Sequence, residues 1–105
     1  MARLKLTLDS ASNTLTSMGD IFSSPYRDGD RAQVSDVNAS KLGDSFFHLH
    51  AGDYVYSFGM MNGSGEFTVA VSLRDTNATL GSKKFSGDDT SGLVFRFSVP
   101  EGGGE

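Results

Sequence analysis

The pattern of apolar and polar residues is clearest between Phe46 and Arg74, where side chains alternate over two runs. Successive side chains of a strand point to opposite faces, so both runs predict strands with one buried face. The segment Asn62–Gly65 between them contains residues that tolerate positive φ. We therefore predict a short strand, a glycine turn and a long β-hairpin over 53–61 and 65–74. The residues predicted to face inward are Tyr54, Tyr56, Phe58, Met60, Phe67, Val69, Val71 and Leu73.

The same alternation predicts further strands over 3–9, 45–50, 79–85 and 93–99. The first of these directs Arg3 and Lys5 outward, which suits an edge strand because charge discourages pairing with another chain. Pro100 ends the last strand. The side chains predicted to be nearly fully buried are Phe58, Val69, Val71, Phe95 and Phe97.

Residues 10–45 allow more than one interpretation. The apolar residues between Leu15 and Phe22 are spaced either for a short helix or for an irregular strand. Residues 31–37 could form a strand. Alternatively, Ser35 caps a short helix over 36–42, and the dipole of that helix would match Asp36 at its start and Lys41 at its end. We favour the helix.

Six to eight strands at spacings of roughly ten residues predict an all-β fold. The predicted architecture is an antiparallel β-sandwich, jelly-roll-like, with at most one short helix, because strands with one dry face must pack as two sheets. With 105 residues the chain suits a single domain. We predict that domain over residues 1–100 and a disordered tail over 101–105.

Composition narrows the range of functions. The formal net charge is −4, and no basic footprint for nucleic acid is present. Cysteine is absent, which excludes disulfides and thiolate metal sites. The first residues alternate and carry charge, unlike a signal peptide, and no window suits a membrane span. We expect a cytoplasmic or particle-associated protein that binds neither nucleic acid nor membrane.

Two histidines, His48 and His50, lie at strand spacing and point the same way, so they could share a metal ion. Asp44, Asp53 or a distant carboxylate would have to complete the site. The surrounding stretch G-D-S-F-F-H-L-H-A-G-D resembles the first motif of cupins, which carries His-x-His on a jelly-roll strand. The resemblance implies a small metal-dependent enzyme. However, the glycine before His48 and the acidic residue after His50 stand too close, and the chain has no third histidine. We therefore expect surface histidines and no cofactor.

Asp28 and Asp30, together with Asp36, are candidates for a calcium site, as is the pair Asp88–Asp89. Calcium takes six to eight oxygen ligands, and the spacing of an EF-hand loop is absent. Aspartates in the loops of β-sandwiches commonly serve as turn residues. We predict that these aspartates do so here.

Tyr54 and Tyr56, with Phe58, are candidates for a platform that stacks on sugar rings, since tyrosine has an apolar face and a polar tip. Their strand spacing beside Met60 favours a place in the core instead. The segment Phe46–Ser72, with its Ala-Gly followed by Tyr-x-Tyr, also resembles the middle of pre-peptidase C-terminal domains, which are bacterial jelly-roll modules. That resemblance covers about a quarter of the chain and implies a fold but no site residue.

No nucleophile elbow or phosphate-binding loop is present in the sequence. We expect a non-enzymatic binding or structural-interaction module whose partner is a protein or a carbohydrate. The alternatives are the small cupin-like enzyme and a subunit of a phage or secretion particle. If the strand over 93–99 lies at an edge, Val94 and Arg96 would form the interface with a protein partner or with a second copy in a homodimer.

Overall fold

A computed structural model describes residues 1–25, 32–63, 65–86 and 91–101, and these form antiparallel strands without a helix. The all-β prediction is confirmed. The strands are β1 (Ala2–Ser10), β2 (Thr16–Ser23), β3 (Val34–Ser40), β4 (Ser45–Leu49), β5 (Gly52–Met61), β6 (Phe67–Leu73), β7 (Thr79–Phe85) and β8 (Leu93–Val99).

The strands form two four-stranded sheets that pack face to face, as the sandwich prediction required. The first sheet has the order β4-β1-β6-β7 and the second has the order β3-β2-β5-β8. Among the described strands, β2–β3 and β6–β7 are the consecutive pairs that share a sheet. Each of the other connections passes from one sheet to the other. The jelly-roll topology stays a prediction.

The core lies between the sheets and is built from alternate residues of each strand. The five side chains predicted to be buried, Phe58, Val69, Val71, Phe95 and Phe97, are at most 4 % exposed. Phe58 packs edge-on against rings from the first sheet, with centroid distances of 5.5 Å to Phe85 and 6.4 Å to Phe67. Burial of one such side chain contributes about 1.5–3 kcal/mol, so these contacts hold the two sheets together.

The predicted β-hairpin over 53–61 and 65–74 is wrong. The two strands exist as β5 and β6, but β5 lies in the second sheet and β6 in the first. The connection between β5 and β6 therefore crosses from one sheet to the other. Gly63 in this connection lies so close to Leu15 that an added Cβ would be 2.8 Å from the Leu15 Cα atom. Alternation shows that a strand has one buried face. It does not show whether two consecutive strands pair as a hairpin or lie in different sheets.

The edge position predicted for the first strand is also wrong. β1 pairs with β4 on one side and with β6 on the other, so it lies inside the first sheet. Arg3 and Lys5 point to the solvent-facing surface of that sheet, where Arg3 forms an ion pair with Asp75 at 3.2 Å. The outward charges of Arg3 and Lys5 therefore indicate the solvent-facing surface of the sheet and not a free edge.

The helix predicted over 36–42 is wrong as well, because this region contains β3 and a turn. Val37 and Ala39 alternate into the core, and Ser40 and Gly43 exchange backbone hydrogen bonds at 2.9 and 3.2 Å. Asp36 has a φ of 55°, and its amide donates to the Asp20 carboxylate at 2.9 Å. The alternatives of an irregular strand over 15–22 and a strand near 31–37 describe the chain better.

The irregularity of β2 has a local cause at Gly19. Its register with β3 shifts between Gly19 and Ile21. A Cβ on Gly19 would overlap the Ser57 carbonyl oxygen and would lie 2.6 Å from the Phe58 Cβ. Glycine thus allows β2 to approach β5 closely at the bulge.

Residues 102–105 of the predicted tail lie outside the described residues. Within the described residues, no helix is long and apolar enough to cross a membrane.

Candidate functional site

The candidate site is the free edge of β8. This strand pairs with β5 on one side and ends the second sheet on the other. The structure therefore places 93–99 at an edge, which is the condition that the interface hypothesis required. Val94 projects from the outer surface of this strand and is 44 % exposed.

The hydrogen bonds between β2, β5 and β8 determine which backbone N–H and C=O groups of β8 face away from the sheet. The Ser24 amide donates to the Asp53 carbonyl at 2.9 Å, so the backbone of Asp53 faces β2. Because backbone groups alternate along a strand, the backbone of Tyr54 faces β8, where its partner is Phe97. The backbone groups that face away from the sheet are consequently those of Val94, Arg96 and Ser98.

Two other edges carry features that obstruct the addition of a strand. β3 contains Asp36 at positive φ and lies beside the bulge of β2. β4 has only five residues. Irregular backbone and short length both reduce the template that an edge offers to another chain.

The edge at β7 is obstructed by a charge. Lys83 pairs with Val69, which is fully buried, so Lys83 starts from the inner surface of the first sheet. Its ammonium group lies 5.0 Å from the centre of the Phe85 ring. The side chain is exposed and lines a depression with Leu93 and Val94, so it extends past the edge of β7 towards β8. A strand added to β7 would have to desolvate this charge, and charges at such positions protect natural edges. A register shift between Val71 and Ser72 further interrupts the ladder with β6.

By contrast, β8 is regular over its seven residues, and its ladder with β5 has no register shift. All four of its inward side chains are apolar and buried, and Arg96 supplies its single charge. Of the four edges in the described part of the chain, β8 is the one best suited to pair with another strand.

An apolar strip lies beside this edge on the outer surface of the second sheet. Val55 pairs with Phe22 on one side and with Arg96 on the other, and Ser57 pairs with Val94. Side chains of these five residues line a depression of about 300 Å³. We call them the outer strip: Phe22, Val55, Ser57, Val94 and Arg96. Such a surface would contact the side chains of an added strand.

Polar contacts fix the side chains at the other end of β8. Arg96 Nη1 donates to Ser24 Oγ at 2.9 Å, and the Ser98 hydroxyl donates to the Asp53 carboxylate at 2.6 Å. Both contacts lie on the exposed surface. They orient the Arg96 and Ser98 side chains over the outer surface. Gly81 of β7 lies beside the edge here, since a Cβ built on it would be 3.6 Å from the Arg96 carbonyl oxygen.

Tyr54 and Tyr56, the candidates for a sugar platform, lie in the core, with exposures of 8 % and 0 %. The Tyr56 hydroxyl donates to the Val37 carbonyl at 2.6 Å and lies 3.0 Å from Ser17 Oγ. Burial raises the pKa of Tyr56 to about 12; the Ser17 hydrogen bond offsets part of this, and the Asp20 charge adds to it. Burial also raises the pKa of Tyr54. Neither ring offers a face to a ligand.

The metal-ligand candidates do not converge. His48 and His50 are exposed at the first sheet, whereas Asp53 lies on the outer surface of the second sheet and binds Ser98. Within the described residues, no three His, Asp or Glu side chains form a group that could hold a metal. Asp28, Asp30, Asp88 and Asp89 lie outside the described residues.

No protein-family model, curated protein or solved structure matches this chain.

Proposed function

We propose that this protein is a non-enzymatic interaction module that binds an extended segment of a partner protein along the free edge of β8. The added segment would pair with the outward amides and carbonyls of Val94, Arg96 and Ser98. Main-chain hydrogen bonds supply affinity in this mode of recognition, and neighbouring side chains supply specificity.

The observation that carries the proposal is the contrast between β8 and the other three edges. Irregular backbone, short length or an inward lysine obstructs β3, β4 and β7, whereas β8 is regular and its ladder is uninterrupted. An unprotected edge favours aggregation unless it is used, so its presence beside the outer strip supports a binding role.

The buried positions of Tyr54 and Tyr56 favour a protein over a neutral sugar as the partner at this edge. Recognition of neutral sugar rings by stacking needs an aromatic face in solvent, and both rings are in the core. A peptide needs only unpaired backbone groups and an apolar surface nearby. The edge of β8 and the outer strip provide both.

The test uses a library of random peptides displayed for selection against the immobilised full-length chain. Selected peptides are then synthesised and titrated into isotope-labelled protein. We expect the largest amide shifts at Val94, Arg96 and Ser98. Peptides that shift amides of another surface instead would contradict the proposal.

A matched pair of variants at Val94 separates backbone pairing from side-chain contact. Val94→Pro removes one outward N–H but no ladder hydrogen bond, because the Val94 amide faces away from β5. We expect Val94→Pro to remain folded and to weaken peptide binding about tenfold. Val94→Thr keeps both the N–H and the branched shape, so it should bind nearly as tightly as the native chain. Equal binding by Val94→Pro and Val94→Thr would refute strand addition.

A second copy of the chain is a further possible occupant of the same edge. Sedimentation across protein concentration would reveal it, and Val94→Lys should then dissociate the dimer without loss of the fold. Self-association of this kind would be the behaviour of a particle subunit. Association that survives Val94→Lys would place the contact elsewhere and contradict the edge assignment.

A further inference from the structure

A cluster of positive charge lies on the outer surface of the first sheet, far from the edge of β8. Arg3 pairs with His48 of β4 on one side. On the other side, the Arg3 carbonyl accepts a hydrogen bond from the Arg74 amide at 2.9 Å. Arg74, which directly follows β6, therefore lies next to Arg3. Lys5, two residues along β1, points to the same surface. We call the three cationic residues Arg3, Lys5 and Arg74, together with the neighbouring His48, the cationic corner.

The corner is unusual for this chain, which carries thirteen acidic and nine basic residues. Three of its nine Lys and Arg side chains lie within two rows of one sheet. Like charges on neighbouring strands destabilise a sheet. Within the described residues, Asp75 is the carboxylate that pairs with this group, at 3.2 Å from Arg3. A bound anion would offset the repulsion between these neighbouring cations.

The cationic groups are held in place before any ligand binds. The Arg74 guanidinium lies 4.7 Å from the centre of the Phe46 ring, so its side chain crosses β1 to reach β4. Lys5 Nζ donates to Asn77 Oδ1 at 2.8 Å. Holding side chains in a binding geometry lowers the entropy lost on association. Guanidinium groups held in this way match sulfate, phosphate and carboxylate oxygens with paired hydrogen bonds.

We propose that the cationic corner binds an anionic polysaccharide through its sulfate or carboxylate groups. The corner spans three strands and two rows of side chains, which is about 10 Å by 7 Å. These dimensions suit one or two sugar rings that carry anionic groups. Phe46 is 58 % exposed and provides an apolar border for such a ring.

Two observations favour a polysaccharide over a nucleic acid. Arg74 lies over the Phe46 ring, whereas proteins that bind single strands stack bases on open aromatic faces. Among the described residues, this surface is formed by strands without a helix, and sequence recognition in duplex DNA requires an element that enters a groove. The proposal does not depend on the edge of β8, which lies in the other sheet.

The test titrates a sulfated tetrasaccharide prepared from heparin into the full-length chain by calorimetry, at low and at physiological salt. We expect binding that weakens as salt rises, because the contacts are exposed and screened. The amides of Arg3, Lys5, His48 and Arg74 should shift in a parallel NMR titration. No binding at low salt, or shifts confined to other residues, would overturn the proposal.

Charge-matched variants assign the binding to the corner. Lys5→Gln and Arg74→Gln should each weaken binding about tenfold. Lys84→Gln is the control, since Lys84 lies on the same sheet surface at its opposite end, beside Glu66 at 3.1 Å. Its effect should be less than twofold, and equal loss from all three variants would show that only net charge matters and overturn the site. A thermal melt of each variant excludes unfolding as the cause.

An oligothymidylate and a glutamate-rich peptide of similar charge serve as competing probes. Both should bind more weakly than the tetrasaccharide. If either of them binds the corner more tightly, the polysaccharide is the wrong partner class and the proposal fails.

Discussion

Tyr56 offers the sharpest test of how the second sheet is held together. Its hydroxyl is fully buried, donates to the Val37 carbonyl of β3 and lies against Ser17 of β2. Tyr56→Phe keeps the ring but removes the hydroxyl, which leaves two buried polar groups short of a partner. The expected loss of unfolding free energy is about 1–3 kcal/mol. Tyr54→Phe is the control, because its hydroxyl has one acceptor, the His50 carbonyl at 2.8 Å, and we expect its loss to be about 0.5–1.5 kcal/mol.

The pH dependence of this loss follows from the raised pKa of Tyr56. An unfolded tyrosine ionises near its ordinary pKa of 10.0, whereas burial raises the pKa of folded Tyr56 to about 12. Between these values the unfolded state binds fewer protons than the folded state, so the stability of the native chain falls as the pH rises. Tyr56→Phe lacks this contribution. The stability advantage of the native chain over the variant should therefore shrink from pH 9 to pH 11.5.

Urea denaturation of both chains across this pH range measures the difference directly, because ionisation of the remaining tyrosines affects both chains. A loss at pH 7 no larger than that of Tyr54→Phe would refute the buried network. So would a stability difference that stays constant as the pH rises.

Three further expectations follow from the fold. Phe97→Ala should lower the unfolding free energy by about 3–5 kcal/mol, measured from the denaturant midpoint. A loss of unfolding free energy below a tenth of that would mean that the inner face of β8 is assigned backwards. Gly19→Ala should cost about 1–3 kcal/mol in the same assay, since its Cβ would overlap the Ser57 carbonyl; unchanged stability would contradict the close approach of β2 and β5. EDTA should leave the melting temperature unchanged, and a fall of several degrees would revive the calcium or cupin-like hypotheses.

Much of the fold could be predicted because alternation reports burial directly. The bounds of β7 and β8 are those predicted, and the inward side chains Phe58, Phe95 and Phe97 were found from their spacing alone. Strand partners were not found, since pairing depends on contacts far apart in sequence. The crossover between β5 and β6 and the interior position of β1 show this limit of the pattern.

The β3 region was misjudged for a different reason. Ser35, Asp36 and Lys41 match the start and end signals of a helix, but Val37 and Ala39 alternate over too few residues to outweigh them. Tertiary contacts decide the outcome, including the hydrogen bond from the Asp36 amide to Asp20.

The candidate site was only partly accessible from sequence. Val94 and Arg96 could be named as an interface conditional on an edge, because an apolar residue stands on the outward face of an otherwise polar-outward strand. The cationic corner could not be found, because Arg74 and His48 approach Arg3 only through pairing of β1 with β4 and β6. The stack of Arg74 on Phe46 depends on the same pairing.

Amide hydrogen exchange along β8 tests the central claim most directly. In the free protein, we predict slow exchange at Phe95 and Phe97, whose amides pair with β5, and fast exchange at Val94, Arg96 and Ser98. Addition of a selected peptide should slow the second group and leave the first unchanged. Slow exchange at all five amides in the free protein at every concentration would show that the edge is already paired within the chain, and the proposed binding mode would be wrong.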